Sequence, residues 1–322
     1  LATYLFTLEP TVSLWDCGEF IATAFKLQVG HPPGAPLFML LGRIASLFAP
    51  STQYVALAIN SLSALASAFT VLFLFWIISH LAQRSLLAKN TQPTGAQTIA
   101  ILGAASVGAL AYAFSDSFWF SAVEAEVYAL SSLFTSIVVW AMLKWEEQAD
   151  APHSSRWLIL IAYLMGLSIG VHLLNLLTIP ALALIFYYRK YTFSWMGLLK
   201  ALLVSILVLC AVLYGIIPGL PKLAGWFELL FVNDLHLPLQ SGAIFFLLLF
   251  STSLIAIIWY SQRKKKPTLN TAAICLFVIS RGYSSYASLI IRSEANPPID
   301  ENSPSNVFAL QSYLNREQYG NR

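Results

Sequence analysis

The chain has 322 residues, of which 58% are hydrophobic and 10% are charged. An average soluble domain has about 25% charged residues, so this composition excludes a soluble globular protein. The formal net charge of +3 is too small to indicate a nucleic-acid partner. The three cysteines, Cys17, Cys210 and Cys275, are too scattered for a disulfide framework or a metal cluster.

Long apolar segments recur along the chain, and each approaches the roughly 20 residues that cross a bilayer as a helix. The chain is therefore predicted to be an all-α, polytopic membrane protein; a transmembrane barrel would need short stretches of alternating polarity. About nine crossings are predicted, at residues 1–8, 53–82, 97–115, 126–145, 157–171, 173–188, 197–217, 242–261 and 269–291. The first is expected to be a truncated helix of a longer protein. The pair at 157–171 and 173–188 is short and contains Pro180, so a kinked hairpin or a partly re-entrant pair is also possible.

Lys and Arg in the connections predict the orientation, because they favour the cytoplasmic side. Alternate connections collect most of these bases on one side, which we expect to be cytoplasmic: Arg84, Lys89, Lys144, Arg156, Arg189, Lys190, Lys200 and Arg263 to Lys266. Every acid except Glu146, Glu147 and Asp150 falls on the other side. Charge sorting hardly moves acids, so the outer carboxylates indicate chemistry on that side.

The first outer connection, residues 9–52, contains the pattern of an amphipathic interfacial helix that ends near Gly30. Asp16 and Glu19 are three residues apart and share one face of this helix. Ser13 and Asp16 also fit a capping box, so capping and catalysis are equally open for Asp16. Glu19 has no such capping role, and a carboxylate pair can keep one member as an acid or base. His31 follows in a rigid, proline-rich turn.

Further candidates lie in later outer connections. Glu124 and Glu126 precede the 126–145 segment, where they are either solvated interfacial acids or site residues. His172 and Asn175 are one helical turn apart and either bond locally or contact a substrate. Arg292 and then Arg281 are candidate phosphate ligands, because a guanidinium matches phosphate oxygens. A divalent metal is possible but unsupported, since the sequence has no Asp-x-Asp motif or histidine-rich ligand set.

Several motifs resemble one membrane-protein family. They are Pro10 to Phe20 with Gly30 to Phe38, Phe118 to Tyr128, Gly166 to Asn175, and Ile291 through Asn296 to Gly320. Together they resemble the transmembrane-protein-260-like family, also catalogued as a domain of unknown function. The resemblance implies a GT-C type glycosyltransferase, similar to protein O-mannosyltransferases, that moves a sugar from a polyprenyl-phosphate carrier to an acceptor on the extracytoplasmic face.

The resemblance also implies roles for the candidate residues. Asp16 would be the general base and Glu19 would assist it, while substrate would be bound by His31, Glu124, Glu126, His172, Asn175 and Arg292. The expected partners are the lipid-linked sugar, a protein or glycan acceptor and the lipid bilayer, with no nucleic acid and no certain cofactor. The expected location is a bacterial inner membrane or a eukaryotic endoplasmic reticulum membrane.

Residues 1–291 are expected to form the membrane domain, and residues 292–322 to begin an extracytoplasmic region. A transporter or lipid flippase is the alternative function, since such proteins also carry ionisable residues within the membrane. A non-catalytic scaffold would not need so many outer acids.

Overall fold

The computed structural model describes residues 1–88 and 91–320. Lys89, predicted to be cytoplasmic, and the last two residues of the predicted C-terminal region lie outside this range. The helices in chain order are α1 (Ala2–Phe6), α2 (Cys17–Lys26), α3 (Pro36–Ser46), α4 (Val55–Leu86), α5 (Gly95–Ala113), α6 (Asp116–Val123), α7 (Val127–Gln148), α8 (Ser155–Ile169), α9 (Ile179–Lys190), α10 (Trp195–Cys210), α11 (Gly219–Leu229), α12 (Ser241–Arg263), α13 (Pro267–Tyr283), α14 (Ala287–Glu294) and α15 (Val307–Leu314).

The predicted fold class, an all-α polytopic membrane protein, is confirmed. Six helical stretches in the described ranges are long and apolar enough to cross a membrane: Thr52–Leu86, Gly95–Ala113, Val127–Gln148, Trp195–Asp234, Ser241–Arg263 and Pro267–Glu294. The other three predicted segments contain shorter helices, namely α1, α8 and α9. Between α8 and α9 the chain turns through the 3-10 helix Leu173–Thr178. These three short helices leave the predicted count of nine crossings open.

The first connection folds into two helices, where the sequence predicted one. The predicted amphipathic helix is present as α2, which buries Phe20, Ile21 and Ala24. Helix α3 follows the proline-rich turn and packs against α2 at Gly42, where a Cβ would lie 2.8 Å from the Ala24 Cβ. Its 11 residues are well below the roughly 20 of a membrane span, so the search for spans did not detect it.

Close helix packing forms the core of the bundle. Helices α8 and α13 touch at Gly166 and Gly282, where an added Cβ would overlap the main chain of the facing helix. Glycines allow two membrane helices to approach closely and to pack in van der Waals contact. This packing stabilises the helix pair, because lipid is as apolar as the side chains and provides no hydrophobic driving force.

The two ends of α7 have opposite electrostatic character. At its C-terminal end, three acids are paired with bases: Glu146 with Arg84, Glu147 with Lys144, and Asp150 with Arg189 and Lys190. We call this the basic end. The 22 residues of α7 separate it by about 33 Å, at 1.5 Å per residue, from an acidic end at Glu124 and Glu126. The contacts therefore agree with the prediction that these acids and bases share one side of the membrane. That this side is the cytoplasmic one stays a prediction.

The segment after α13 packs back onto the first connection. Val29 and Asp300 form an isolated parallel bridge, with Val29 N donating to Ile299 O at 3.1 Å. Tyr313 of α15 is fully buried in the core. The predicted boundary between residues 291 and 292 falls inside α14, so the start of the predicted C-terminal region is continuous with the helical bundle.

Candidate functional site

Asp16, Glu19 and His31 meet at the acidic end. Glu19 lies in the first turn of α2 and receives the His31 main-chain N–H at 2.6 Å. The Nδ1 atom of His31 lies 3.1 Å from each carboxylate oxygen of Glu19. The other ring nitrogen, Nε2, lies 3.9 Å from Asp16 Oδ2. The imidazole is therefore held between two carboxylates that α2 presents on one face, as the sequence predicted for the two acids.

Asp16 occupies the N-cap position of α2, but its side chain makes no capping hydrogen bond. The hydroxyl of Ser13 instead donates to Glu124, 111 residues away in the chain. The capping-box interpretation of Ser13 and Asp16 is therefore wrong. The Asp16 carboxylate is 56% exposed and faces His31, so it is free to contact a substrate.

The Glu19 and His31 pair shifts both pKa values toward the charged forms. Burial raises the pKa of Glu19, but the stronger combined effect of its hydrogen bonds and charge attraction with His31 lowers it below the usual range. The hydrogen bond that His31 donates to Glu19 raises the pKa of His31 against the effect of burial, and the charges of Glu19, Asp16 and Glu301 add to this increase. The pair therefore favours a carboxylate and an imidazolium.

Glu124 and Glu126 are each only 6% exposed, which excludes the interpretation as solvated interfacial acids. Glu124 and Glu126 both have β-region backbone angles, but the chain turns tightly between them, since the Glu126 N–H donates to the Glu124 carbonyl at 2.9 Å. Burial raises the pKa of Glu124, while its hydrogen bond with Ser13 opposes the increase. Burial, with the charges of Asp16 and Glu124, raises the pKa of Glu126 to about 7.

Residues from the C-terminal segment complete the surroundings of His31. The Tyr313 hydroxyl donates to the Gly30 carbonyl at 2.6 Å and also lies 3.2 Å from the His31 carbonyl. A Cβ at Gly30 would lie 2.5 Å from Glu19 Oε1, so only glycine allows the loop to approach this carboxylate. The main-chain N–H of Glu301 donates to Val29 O at 3.1 Å, and burial followed by the charge of Glu19 raises the pKa of Glu301.

His172 and Asn175 have no hydrogen bond with Asp16, Glu19 or His31 among the described residues. His172 Nδ1 accepts from Leu174 N at 3.2 Å, and its ring lies against Tyr128 in the first turn of α7, with centroids 5.3 Å apart. Burial lowers the pKa of His172, which favours the neutral imidazole. Asn175 is fully buried and donates to Ser168 Oγ at 3.0 Å, while its Oδ1 has no hydrogen-bond partner among the described residues. Their predicted roles in substrate binding stay predictions.

Arg292 lies at the opposite end of α2 from Asp16. Its Nε donates to the Leu27 carbonyl at 2.5 Å, and its Nη2 lies 3.4 Å from the Lys26 carbonyl. These carbonyls terminate α2, so the guanidinium caps a helix C-terminus. The ten residues of α2 put this contact about 15 Å from Asp16. The predicted phosphate role of Arg292 stays untested.

Arg281 lies near the end of α13, at the wall of an apolar cavity of about 340 Å³ between α11, α12 and α13. Its guanidinium packs over the Phe277 ring at 5.0 Å and has no ion pair among the described residues. Other residues of the wall include Leu220, Phe246, Leu254, Tyr286 and Leu310. The cavity therefore combines a long apolar surface with one free cationic group.

Three contributors to the site have no local signal in the sequence. The Ser13 hydroxyl donates to Glu124, and the charge of Glu301 interacts with that of Glu19. The Tyr313 hydroxyl donates to the Gly30 carbonyl across the longest of these separations, 283 residues. The C-terminal motif contains Tyr313, but nothing in its spacing indicates a contact with the first connection.

Residues 16–195, more than half of the chain, match the family model for the N-terminal domain of protein O-mannosyl-transferase TMEM260. The chain belongs to this family. The match spans Asp16, Glu19, His31, Glu124 and Glu126, whereas Arg281 lies outside it.

Two curated TMEM260 relatives are similar to the chain. Protein O-mannosyl-transferase TMEM260 of Mus musculus is 30% identical over 52% of this chain and 21% of its own length. The protein O-mannosyl-transferase tmem260 of Dictyostelium discoideum is 27% identical over 58% of this chain and 21% of its own length. The aligned part thus spans about a fifth of these relatives. No solved structure matches the chain.

Proposed function

We propose that this chain carries the catalytic membrane part of a GT-C type glycosyltransferase. It moves a mannose-like sugar from a polyprenyl-phosphate carrier to a Ser or Thr hydroxyl of a protein on the extracytoplasmic face. The names of the two relatives support transfer to protein. The observation that carries the proposal is the convergence of Asp16, Glu19, His31 and Glu126 at one end of an apolar helical bundle.

Asp16 is the candidate general base. A hydroxyl acceptor must lose a proton as it attacks the sugar, and a carboxylate within hydrogen-bond reach can accept that proton. Asp16 is the exposed member of the group, while Glu19 is engaged with His31 through both oxygens. Glu19 therefore acts by holding His31, and Asp16 remains open to the acceptor.

The cavity beside Arg281 is suited to the lipid carrier. Residue 281 is 14 positions beyond Pro267, so it lies about 21 Å along α13 from the connection that contains Arg263 to Lys266. If that connection is cytoplasmic, Arg281 lies in the outer half of the roughly 30 Å hydrocarbon core, and its long side chain can extend toward the outer headgroups. An apolar wall there accepts a prenyl chain, and a free guanidinium stabilises its phosphate. Arg281 is favoured over Arg292 as the phosphate ligand, because two of the five donors of Arg292 already bind main-chain carbonyls.

A transfer assay with membranes that contain the full chain tests this function. The donor is radiolabelled polyprenyl-phosphate mannose, and the acceptor is a Ser/Thr peptide. Asp16→Asn keeps the shape of the side chain but removes the base, so we expect the transfer rate to fall by about 10²- to 10⁴-fold. Asp150→Asn, at the basic end, is the matched control and should retain the parent rate.

Full activity in Asp16→Asn would contradict the assigned base. Labelled substrate that crosses sealed vesicles without any glycosylated product would contradict the transferase itself and favour a transporter or flippase.

A further inference from the structure

We propose that Asp16 and His31 bind a divalent cation of the Mn²⁺ type. Glu19 orients the imidazole for this ion, and Glu126 faces it. One ligand atom from each of Asp16, Glu19 and His31 lies within 4.8 Å of the others. Ligands around one Mn²⁺ ion are separated by similar distances, because each bond is about 2.2 Å long and the ion lies between them. The 3.9 Å between His31 Nε2 and Asp16 Oδ2 falls within this range.

The contacts of the His31 ring favour one ligand atom. Glu19 takes Nδ1 at 3.1 Å, which leaves Nε2 directed toward Asp16 Oδ2 at 3.9 Å. Histidines that bind metals typically donate their other ring N–H to a carboxylate, which fixes the ring and increases its basicity. Glu19 and His31 therefore already have the positions of the orienting carboxylate and the imidazole ligand. An ion between His31 Nε2 and Asp16 would displace the second proton of the imidazolium.

The surrounding charge also favours a cation. Carboxylates at or beside this group belong to Asp16, Glu19, Glu124, Glu126 and Glu301. Among the described residues, every Lys or Arg in an ion pair contacts Glu146, Glu147 or Asp150 instead. His31 is thus the basic side chain that pairs with the acidic end. Buried carboxylates without a cation are unfavourable, so a bound ion would supply the missing charge.

Glu126 is an independent sign of such an ion. Its side chain is buried, yet its polar contact is the main-chain N–H of the adjacent Val127, which leaves most of its acceptor positions free. It lies close enough to Asp16 for their charges to repel. Mn²⁺ prefers carboxylate oxygens and also accepts an imidazole nitrogen, so it fits this set of donors. Asp16 retains a second oxygen for the acceptor hydroxyl.

The basic end provides a matched comparison. His80 and Glu147 form a similar pair, with Nδ1 of His80 3.0 Å from Glu147. There, however, Lys144 Nζ lies 2.8 Å from the same carboxylate and Arg84 contacts the neighbouring Glu146. The amine and guanidinium compensate the negative charge, so we expect no cation to bind at that pair.

Electron paramagnetic resonance tests this inference without reference to activity. The full chain, purified in nanodiscs and treated with a chelator, is titrated with Mn²⁺, and loss of the free six-line signal reports binding. We expect saturable binding to one site. Asp16→Asn and His31→Gln should abolish it, while Glu19→Gln should weaken it by about 10- to 100-fold. His80→Gln should bind as the parent does.

Spin-echo spectra of the bound ion provide a second measurement that needs no variant. A nitrogen modulation from an imidazole is expected in the parent. The inference is overturned if the folded parent binds no Mn²⁺, if the bound ion shows no nitrogen modulation, or if both Asp16→Asn and His31→Gln bind unchanged. Thermal unfolding of each variant without Mn²⁺ verifies that its fold is retained. A loss of transferase activity with intact Mn²⁺ binding would separate failure of the proposed function from failure of this inference.

Discussion

Replacement of Glu126 by Gln is expected to increase the stability of the protein at neutral and alkaline pH. Glu126 is 6% exposed and lies beside Asp16 and Glu124, so its charged form is disfavoured in the folded state. Burial and these two charges raise its pKa from 4.5 to about 7. The unfolded chain, with the lower pKa, releases its proton first as the pH increases.

The sign of the pH dependence follows from proton binding. Between pH 4.5 and about 7, the folded protein retains a proton that the unfolded chain has lost, so rising pH reduces the free energy of unfolding. Each pKa unit corresponds to about 1.4 kcal/mol. Partial solvent screening of this group reduces the full value, and we expect the loss to total about 1 to 3 kcal/mol. The neutral amide of the Glu126→Gln variant cannot ionise and would not incur this loss.

Thermal unfolding in nanodiscs, followed from pH 5 to pH 8 in chelator, measures this difference. The melting temperatures of Glu126→Gln and the parent should be similar at pH 5 and should separate as the pH increases, with the variant higher. Glu146→Gln is the matched control at the basic end, where Arg84 stabilises the carboxylate. That control should not gain stability. Parallel curves for Glu126→Gln and the parent, or a variant less stable at pH 8, would refute the assigned burial and repulsion.

Three further substitutions and one control substitution test the packing and the donor cavity. Tyr313→Phe removes the buried donor to the Gly30 carbonyl and should lower the free energy of unfolding by about 1 to 3 kcal/mol; an unchanged melting temperature would contradict this contact. Gly282→Ala forces a Cβ into the main chain of α8 and should cost about 1 to 3 kcal/mol, whereas Gly103→Ala meets no atom within 4 Å and should be neutral or stabilising. Arg281→Ala should raise the KM for the lipid donor with little change for the peptide, and an unchanged donor KM in the transfer assay would remove Arg281 from the site.

Local sequence patterns predicted the architecture because hydropathy acts within one segment. Six stretches long enough to span a membrane coincide with predicted runs, and the face shared by Asp16 and Glu19 follows from helical spacing alone. The same local view failed at Ser13. Its spacing to Asp16 fits a cap, but a carboxylate 111 residues away accepts its hydroxyl instead.

Contacts between distant segments could not be obtained from one sequence. Arg292 was predicted to bind phosphate from its chemistry, yet it donates to Leu27, which is 265 residues earlier. The arginine side chain matches a helix C-terminus as well as it matches a phosphate. Only the position of α14 beside α2 decides between these partners, and that position depends on how the whole bundle packs.

The contrast between the two ends of α7 gives the acidic end its functional interest. At the basic end, Glu146 and Glu147 each have a basic partner, so their charges add little to the free energy of the folded state. At the acidic end, Glu124 and Glu126 are buried without one, and burial raises the pKa of each because the charged form is disfavoured. A single Lys or Arg would remove that cost if stability alone determined the sequence. The acidic end instead retains several carboxylates around one imidazole, and this arrangement is better explained by the binding of a cationic or hydroxyl-bearing ligand. We therefore expect the substrate and the metal ion to bind together at the acidic end.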